Sequence, residues 1–136
     1  MRGPVSSSGR LFLCVVFAVS LVAAFRILQP TPVPVISVDE LAALRRAGTN
    51  VFLLDVRQPE EHQRSAIPGS VLVPLGELEE RFSEIVELAG RADTTVVYCE
   101  VGGRSERAVR RLDELGLHGA KNLIGGIRAY ASSSGE

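Results

Sequence analysis

Tryptophan is absent from this 136-residue chain, and aromatic residues make up only 5% of it. A surface on which nucleic-acid bases stack is therefore not expected. A basic excess is missing too: 15 lysines and arginines stand against 16 acids, a formal net charge of −1. A general nucleic-acid binder carries a clear positive surplus, so no nucleic-acid partner is expected. Cysteine is scarce, and the two residues Cys14 and Cys99 are too few for a disulfide-stapled miniature. His62 and His118 have no second Cys or His at ligand spacing, so they read as surface residues and no metal site is expected. What is present is 46% hydrophobic residues, too many for a disordered chain. The length suits one ordinary domain, and no internal repeat is visible.

The first 34 residues contain no acid at all and carry Arg2, Arg10 and Arg26, a local charge of +3. The remaining 12 bases share residues 35–136 with all 16 acids, a local charge of −4. Leu11 to Phe25 reads LFLCVVFAVSLVAAF, fifteen residues with Ser20 the only polar one. Basic flank, apolar run and the small pair Ala23-Ala24 make residues 1–28 a secretory signal or an uncleaved signal anchor. As an anchor, residues 11–28 would contact the membrane, just short of the roughly 20 residues a span needs. Arg2 and Arg10 would keep the N-terminus cytoplasmic. Either way the rest is expected to be exported: periplasmic, or anchored on the outer face of the inner membrane. QPTPVPV, residues 29–35, follows as a Pro-rich linker with prolines at alternate positions.

The folded domain is placed at 36–131, with a disordered tail at 132–136. Ser37-Val38-Asp39-Glu40 has the form of a capping box, opening a helix that Gly48 ends. Val51 to Leu54 is an unbroken apolar run, as in a strand buried on both faces. Pro59 can open a short helix through Arg64, and Ile67-Pro68-Gly69 turns into a strand over Ser70–Val73. Leu75, Leu78, Phe82, Ile85 and Leu88 fall at the spacing of one amphipathic helix, closed by Gly90. Its glutamates read as a polar face, not as catalytic carboxylates. A third strand is expected over Thr94–Tyr98, a helix over Ser105–Leu115 and a last strand over Ala120–Leu123. Alternating strands and helices imply an α/β fold around a largely parallel sheet.

Chemistry concentrates in VVYCEVGGRSERAVRRL, Val96 to Leu112. Cys99 follows a buried strand, and a helix begins a few residues later, where open α/β sheets bind ligands. Gly102 and Gly103 let the backbone bend until consecutive N–H groups point inward. Such a nest, with the positive end of the next helix, stabilises an anion, for instance the Cys99 thiolate. Arg104 adds a permanent positive charge at the rim.

Cys99-Glu100-Val101-Gly102-Gly103-Arg104-Ser105 resembles the Cys-x-x-Gly-x-Arg-Ser loop of rhodanese-type sulfurtransferases. LLDVRQPEEH, AIPGSVLVPLGEL and LIGGIRAY resemble that family's Asp-x-Arg strand, Ile-Pro-Gly turn and C-terminal Gly-Gly motif, in the same order. The resemblance implies a rhodanese-like α/β domain, with a central, mostly parallel five-stranded sheet flanked by helices. It implies a sulfurtransferase in which Cys99 takes sulfur from a sulfane donor such as thiosulfate or polysulfide. The persulfide then passes sulfur to a thiol or cyanide-like acceptor, with no cofactor. Glu100, Val101, Gly102, Gly103, Arg104 and Ser105 become the anion-binding loop. Asp55 and Arg57 become supporting residues, with Arg57 expected to pair with Glu60 or Glu61. The exported setting resembles small periplasmic members of the family, and a monomer or weak dimer is expected.

Phosphatases on related folds use Cys-x5-Arg, a wider cradle; the four residues between Cys99 and Arg104 suit one sulfur better than a phosphoryl group. A second reading is a non-catalytic sulfur carrier or a protein-binding, sensing module of the cell envelope. The chain departs from the family at Ser65-Ala66, at His62 where an aromatic is usual, and at Tyr130 in place of Trp. Glu100, if it faces the mouth, should slow anionic donors, with Arg104, Arg107 and Arg111 as an offset.

Overall fold

A computed structural model describes residues 31–135. The signal or anchor segment 1–28 lies outside the described residues. Among those described, no helix is long and apolar enough to cross a membrane.

Among the described residues, five strands make one sheet: β1 (Val35–Ile36), β2 (Val51–Asp55), β3 (Val71–Leu72), β4 (Thr94–Tyr98) and β5 (Lys121–Leu123). Their order is β1-β5-β4-β2-β3, and every pairing is parallel. The helices are α1 (Val38–Arg46), α2 (Pro59–Arg64), α3 (Phe82–Ala89), α4 (Gly103–Glu114) and α5 (Gly126–Ser134). The expected capping box is formed: the Ser37 hydroxyl accepts the Glu40 N–H at 3.2 Å, and the Glu40 carboxylate accepts the Ser37 N–H at 2.7 Å.

Side chains alternate across a strand, so each central strand feeds two cores. Phe52 and Leu54 of β2, with Val97 and Cys99 from β4 and its end, pack with Ile85 of α3 and Leu112 of α4. Leu53, Val96 and Tyr98 take the other face, with Leu41 of α1 and Ile127 of α5. The chain runs outward from β2 to β3 and in the opposite direction from β4 to β5. The neighbouring carboxyl ends of β2 and β4 are therefore a topological switch point, where α/β sheets place ligands. Asp55 and Cys99 both stand there.

Three expectations change. The linker 29–35 gives up Val35, which pairs with Asn122 in β1, and the Pro34 carbonyl accepts the Asn122 N–H at 2.9 Å. Proline lacks a donor but keeps its acceptor, which is all a sheet edge asks of it. The helix expected from Leu75 is broken into a 3-10 turn (Leu75–Glu77) and α3. Gly76 weakens the first turn, and the Arg81 guanidinium, donating to the Leu72 carbonyl at 3.1 Å, ties the break to β3. The tail expected to be disordered from 132 instead continues α5 to Ser134. Hydroxyls of Ser132, Ser133 and Ser134 donate to carbonyls one turn back, the short-range bond that serine makes in a helix.

Candidate active site

Cys99 is the first residue after β4 and is 1% exposed. Gly102, at φ +115°, turns the chain back so that its N–H donates to Cys99 Sγ at 3.1 Å. The Ser105 hydroxyl, in the first turn of α4, lies 3.3 Å from the same sulfur. Burial pushes the Cys99 thiol up, but hydrogen bonds from the Ser105 hydroxyl and from the backbone of Ser105, Gly102 and Val101 outweigh it. The balance lies below the ordinary thiol value. The site stabilises the thiolate, the nucleophilic form, more than water does for an ordinary thiol.

A loop whose N–H groups point inward must send its carbonyls outward, and those need donors of their own. They come from α5. Ile127 N–H donates to the Cys99 carbonyl at 2.9 Å, and Arg128 N–H to the Glu100 carbonyl at 3.2 Å. Two of the free N–H groups at a helix start are thereby used on the loop. The approach is possible because Gly126 has no side chain: a Cβ there would lie closer than 3.0 Å to both carbonyl oxygens.

The six predicted loop residues divide by role. Val101, Gly102 and Ser105 bear on the sulfur. Gly103 opens α4. Arg104 turns to Glu61, with two parallel hydrogen bonds of 2.7 Å. The permanent positive charge expected at the rim is there, matched by Glu61, and Glu61 is held down to about 2 by Arg104. Glu100 is bound rather than loose: Arg128 donates to it at 2.8 Å, and Arg57 lies at 3.6 Å. Arg111, expected as an offset to Glu100, is engaged with Glu79 and Glu114 instead.

Asp55 and Arg57 meet at 2.8 Å with almost no exposure. Arg57 also donates to the Ser65 carbonyl at 2.6 Å and stacks 5.5 Å from the Tyr98 ring centre. It pairs with neither Glu60 nor Glu61, because its fork faces Asp55, Ser65 and, at 3.6 Å, Glu100, and Glu61 has gone to Arg104. A buried guanidinium satisfied in this way braces the loop after α2 against the ends of β2 and β4. His62, expected at the surface, is 26% exposed and its Nδ1 lies 2.9 Å from Asp55 Oδ2. Burial raises the Asp55 carboxyl, but bonds from Arg57 and His62 leave it lowered overall; an ionised Asp55 accepts from His62 Nδ1–H. His118 is exposed, against Asp113.

Sequence reasoning missed Glu61, Asn122 and Arg128 as neighbours of the loop. Glu61 lies 43 positions from Arg104 and carries no local signal of the pairing. Asn122, on β5, accepts from Ser105 Oγ at 2.6 Å. A polar residue inside the last predicted strand was the available clue.

The rhodanese-like domain family matches residues 37–133. The candidate sulfur carrier protein YrkF of Bacillus subtilis is 32% identical over 102 residues, covering 75% of this chain and 53% of that protein. The thiosulfate sulfurtransferase PspE of Escherichia coli is 36% identical over 78 residues, covering 57% of this chain and 72% of that one. Among solved structures, the human single-domain sulfurtransferase TSTD1 is similar with a TM-score of 0.62 and 30% identity, over 73% of this chain and 96% of that one. The chain spans about half the length, or less, of the first curated relatives it matches.

Proposed function

The chain belongs to the rhodanese-like domain family, and from that premise we propose that it is a sulfurtransferase working through a Cys99 persulfide. The observation that carries this is the buried Cys99 sulfur receiving Gly102 N–H at 3.1 Å beside the Ser105 hydroxyl at 3.3 Å. The thiolate attacks the outer sulfur of thiosulfate, the S–S bond of the donor breaks, and its electron pair leaves with sulfite. The Cys99 persulfide anion carries the charge that the thiolate had. A thiolate or cyanide then attacks the outer sulfur, and Cys99 leaves as the thiolate again. Sulfur is held covalently throughout, so the cycle calls for no cofactor. A polysulfide donor follows the same course with a shorter polysulfide as leaving group.

The loop faces one negative charge in both resting states, on Sγ in the thiolate and one S–S bond further out in the persulfide, so sulfur moves in either direction without a change in net charge. Glu100 and Glu61 stay closely matched by arginines, so the mouth offers little surplus positive charge. Anionic donors, thiosulfate and polysulfide alike, should therefore gain little electrostatic attraction there. Residues 1–28 are proposed to direct export, placing the domain at the periplasmic face. Comparing the mass of the exported protein with that of the full chain tests cleavage.

The decisive measurement is mass spectrometry after thiosulfate or polysulfide. The protein should gain about 32 Da, one sulfur, removable by a thiol and absent in Cys99→Ser. A wild-type protein that never acquires the adduct defeats the enzymatic reading.

A further inference from the structure

A serine hydroxyl has one proton to give. Ser105 Oγ has three acceptors within reach: Asn122 Oδ1 at 2.6 Å, the Gly102 carbonyl at 3.1 Å and Cys99 Sγ at 3.3 Å. The Gly102 carbonyl, which also accepts the Glu106 N–H at 2.9 Å, offers the local bond a serine makes to its own helix backbone; among side chains the contest lies between sulfur and amide. All three side chains are buried, Asn122 at 7% exposure and the others at 1% or less.

With the proton on the Asn122 side, the sulfur keeps only its backbone donors. With the proton turned to the sulfur, Oγ and Oδ1 would face each other at 2.6 Å as two acceptors, which repel. A half-turn of the amide removes the conflict by presenting Nδ2–H to Oγ, since the two ends of an amide are nearly the same size. Donation then runs from Asn122 to Ser105 to sulfur, each bond strengthening the next. The backbone of Asn122 is fixed meanwhile by pairing with both β1 and β4, so only the side chain turns.

We propose that Asn122 is a positioning residue for Cys99: it donates to Ser105 when the sulfur is anionic and accepts from Ser105 when the sulfur is a neutral thiol. The inference rests on Cys99 being the sulfur-bearing nucleophile. The charged groups around the sulfur are otherwise matched: Arg104 of α4 by Glu61 of α2, and Glu100 of the loop by Arg128 of α5 and Arg57 after β2. The Asn122–Ser105 pair is an uncharged side-chain contact, reaching the sulfur from β5 through α4.

The test is iodoacetamide alkylation of the full chain across pH, followed on the peptide that contains Cys99. Removal of a mere competitor for the Ser105 proton would speed alkylation, whereas removal of a donor slows it. Asn122→Ala is expected to slow alkylation about threefold at neutral pH and to shift the profile to higher pH. In a Ser105→Ala background the same change should have no further effect. Asn122→Asp, close in shape but only an acceptor when ionised, should slow alkylation about tenfold, and by less without Ser105. It serves as the second variant if the alanine protein does not fold. Faster or unchanged alkylation in Asn122→Ala, or equal slowing by Asn122→Asp with and without Ser105, overturns the proposal. Alkylation needs no sulfur donor, so this result stands apart from the persulfide test.

Discussion

A methyl group at Gly126 would press on the carbonyl oxygens of both Cys99 and Glu100, and backbone atoms cannot swing aside as a long side chain can. The residue also sits at φ +58°, where an L side chain costs about 1–2 kcal/mol by itself. Gly126→Ala should therefore lower stability by about 2–4 kcal/mol, read by denaturant unfolding. It should also slow Cys99 alkylation at neutral pH, because the loop carbonyls lose the α5 donors that hold its N–H groups inward. Normal alkylation in a folded Gly126→Ala protein would show that the loop keeps its shape unaided. Residues of this kind were legible in part. The glycine pair and the cysteine loop stand out as local strings, because a tight turn restricts which residues can occupy it. Asn122 does not, since its partner Ser105 is 17 positions away and only the fold brings them together.

Between elements, the pairing of Glu61 with Arg104 joins α2 to α4 across the mouth of the site. Arg104 holds the Glu61 carboxyl at about 2 in the folded protein, against an ordinary value of 4.5. A carboxyl lowered on folding contributes stability that is complete above 4.5 and fades as pH falls toward 2. Glu61→Gln should accordingly cost about 1 kcal/mol at neutral pH, a partly exposed two-pronged pair being worth more than a single surface contact. The gap between the two proteins should narrow below pH 4.5 and close near pH 2. Urea titrations at several pH values measure it, and a gap independent of pH would refute the pairing. The elements themselves were largely readable in advance. Capping at Ser37, proline at the start of α2 and the apolar runs of β2 and β4 are short-range signals. The break before α3 was not, because Leu75 and Ile85 keep helical spacing while Arg81 fastens the turn to Leu72, a tertiary contact. The two-residue β1 escaped for the same reason: its pattern is too short to show, and its partner is at the other end of the domain.

For the whole molecule, the question is where the independently folding unit begins, and β1 decides it. Val33 onward forms one compact unit. Within it, β1 supplies the edge of the sheet next to β5: Pro34 accepts the Asn122 N–H and Ile36 accepts the Ile124 N–H, each at 2.9 Å. Ile36 is 3% exposed and packs with Leu41 and Leu123. A chain covering 33–136 should unfold in a single cooperative transition and still acquire one sulfur at Cys99. Starting at Ser37 instead removes both acceptors and the Ile36 side chain, whose burial alone is worth about 1.5–3 kcal/mol. The N–H groups of Asn122 in β5 and of Ile124 just after it would then lose these acceptors. The shorter chain should melt about 10 °C or more below the longer one. Because Asn122 loses one of its two main-chain anchors as well, Cys99 alkylation in the shorter chain should slow at neutral pH at temperatures where it remains folded. Equal melting of the two chains would mean that β1 lies against the sheet without holding it, and that the boundary belongs at Ser37.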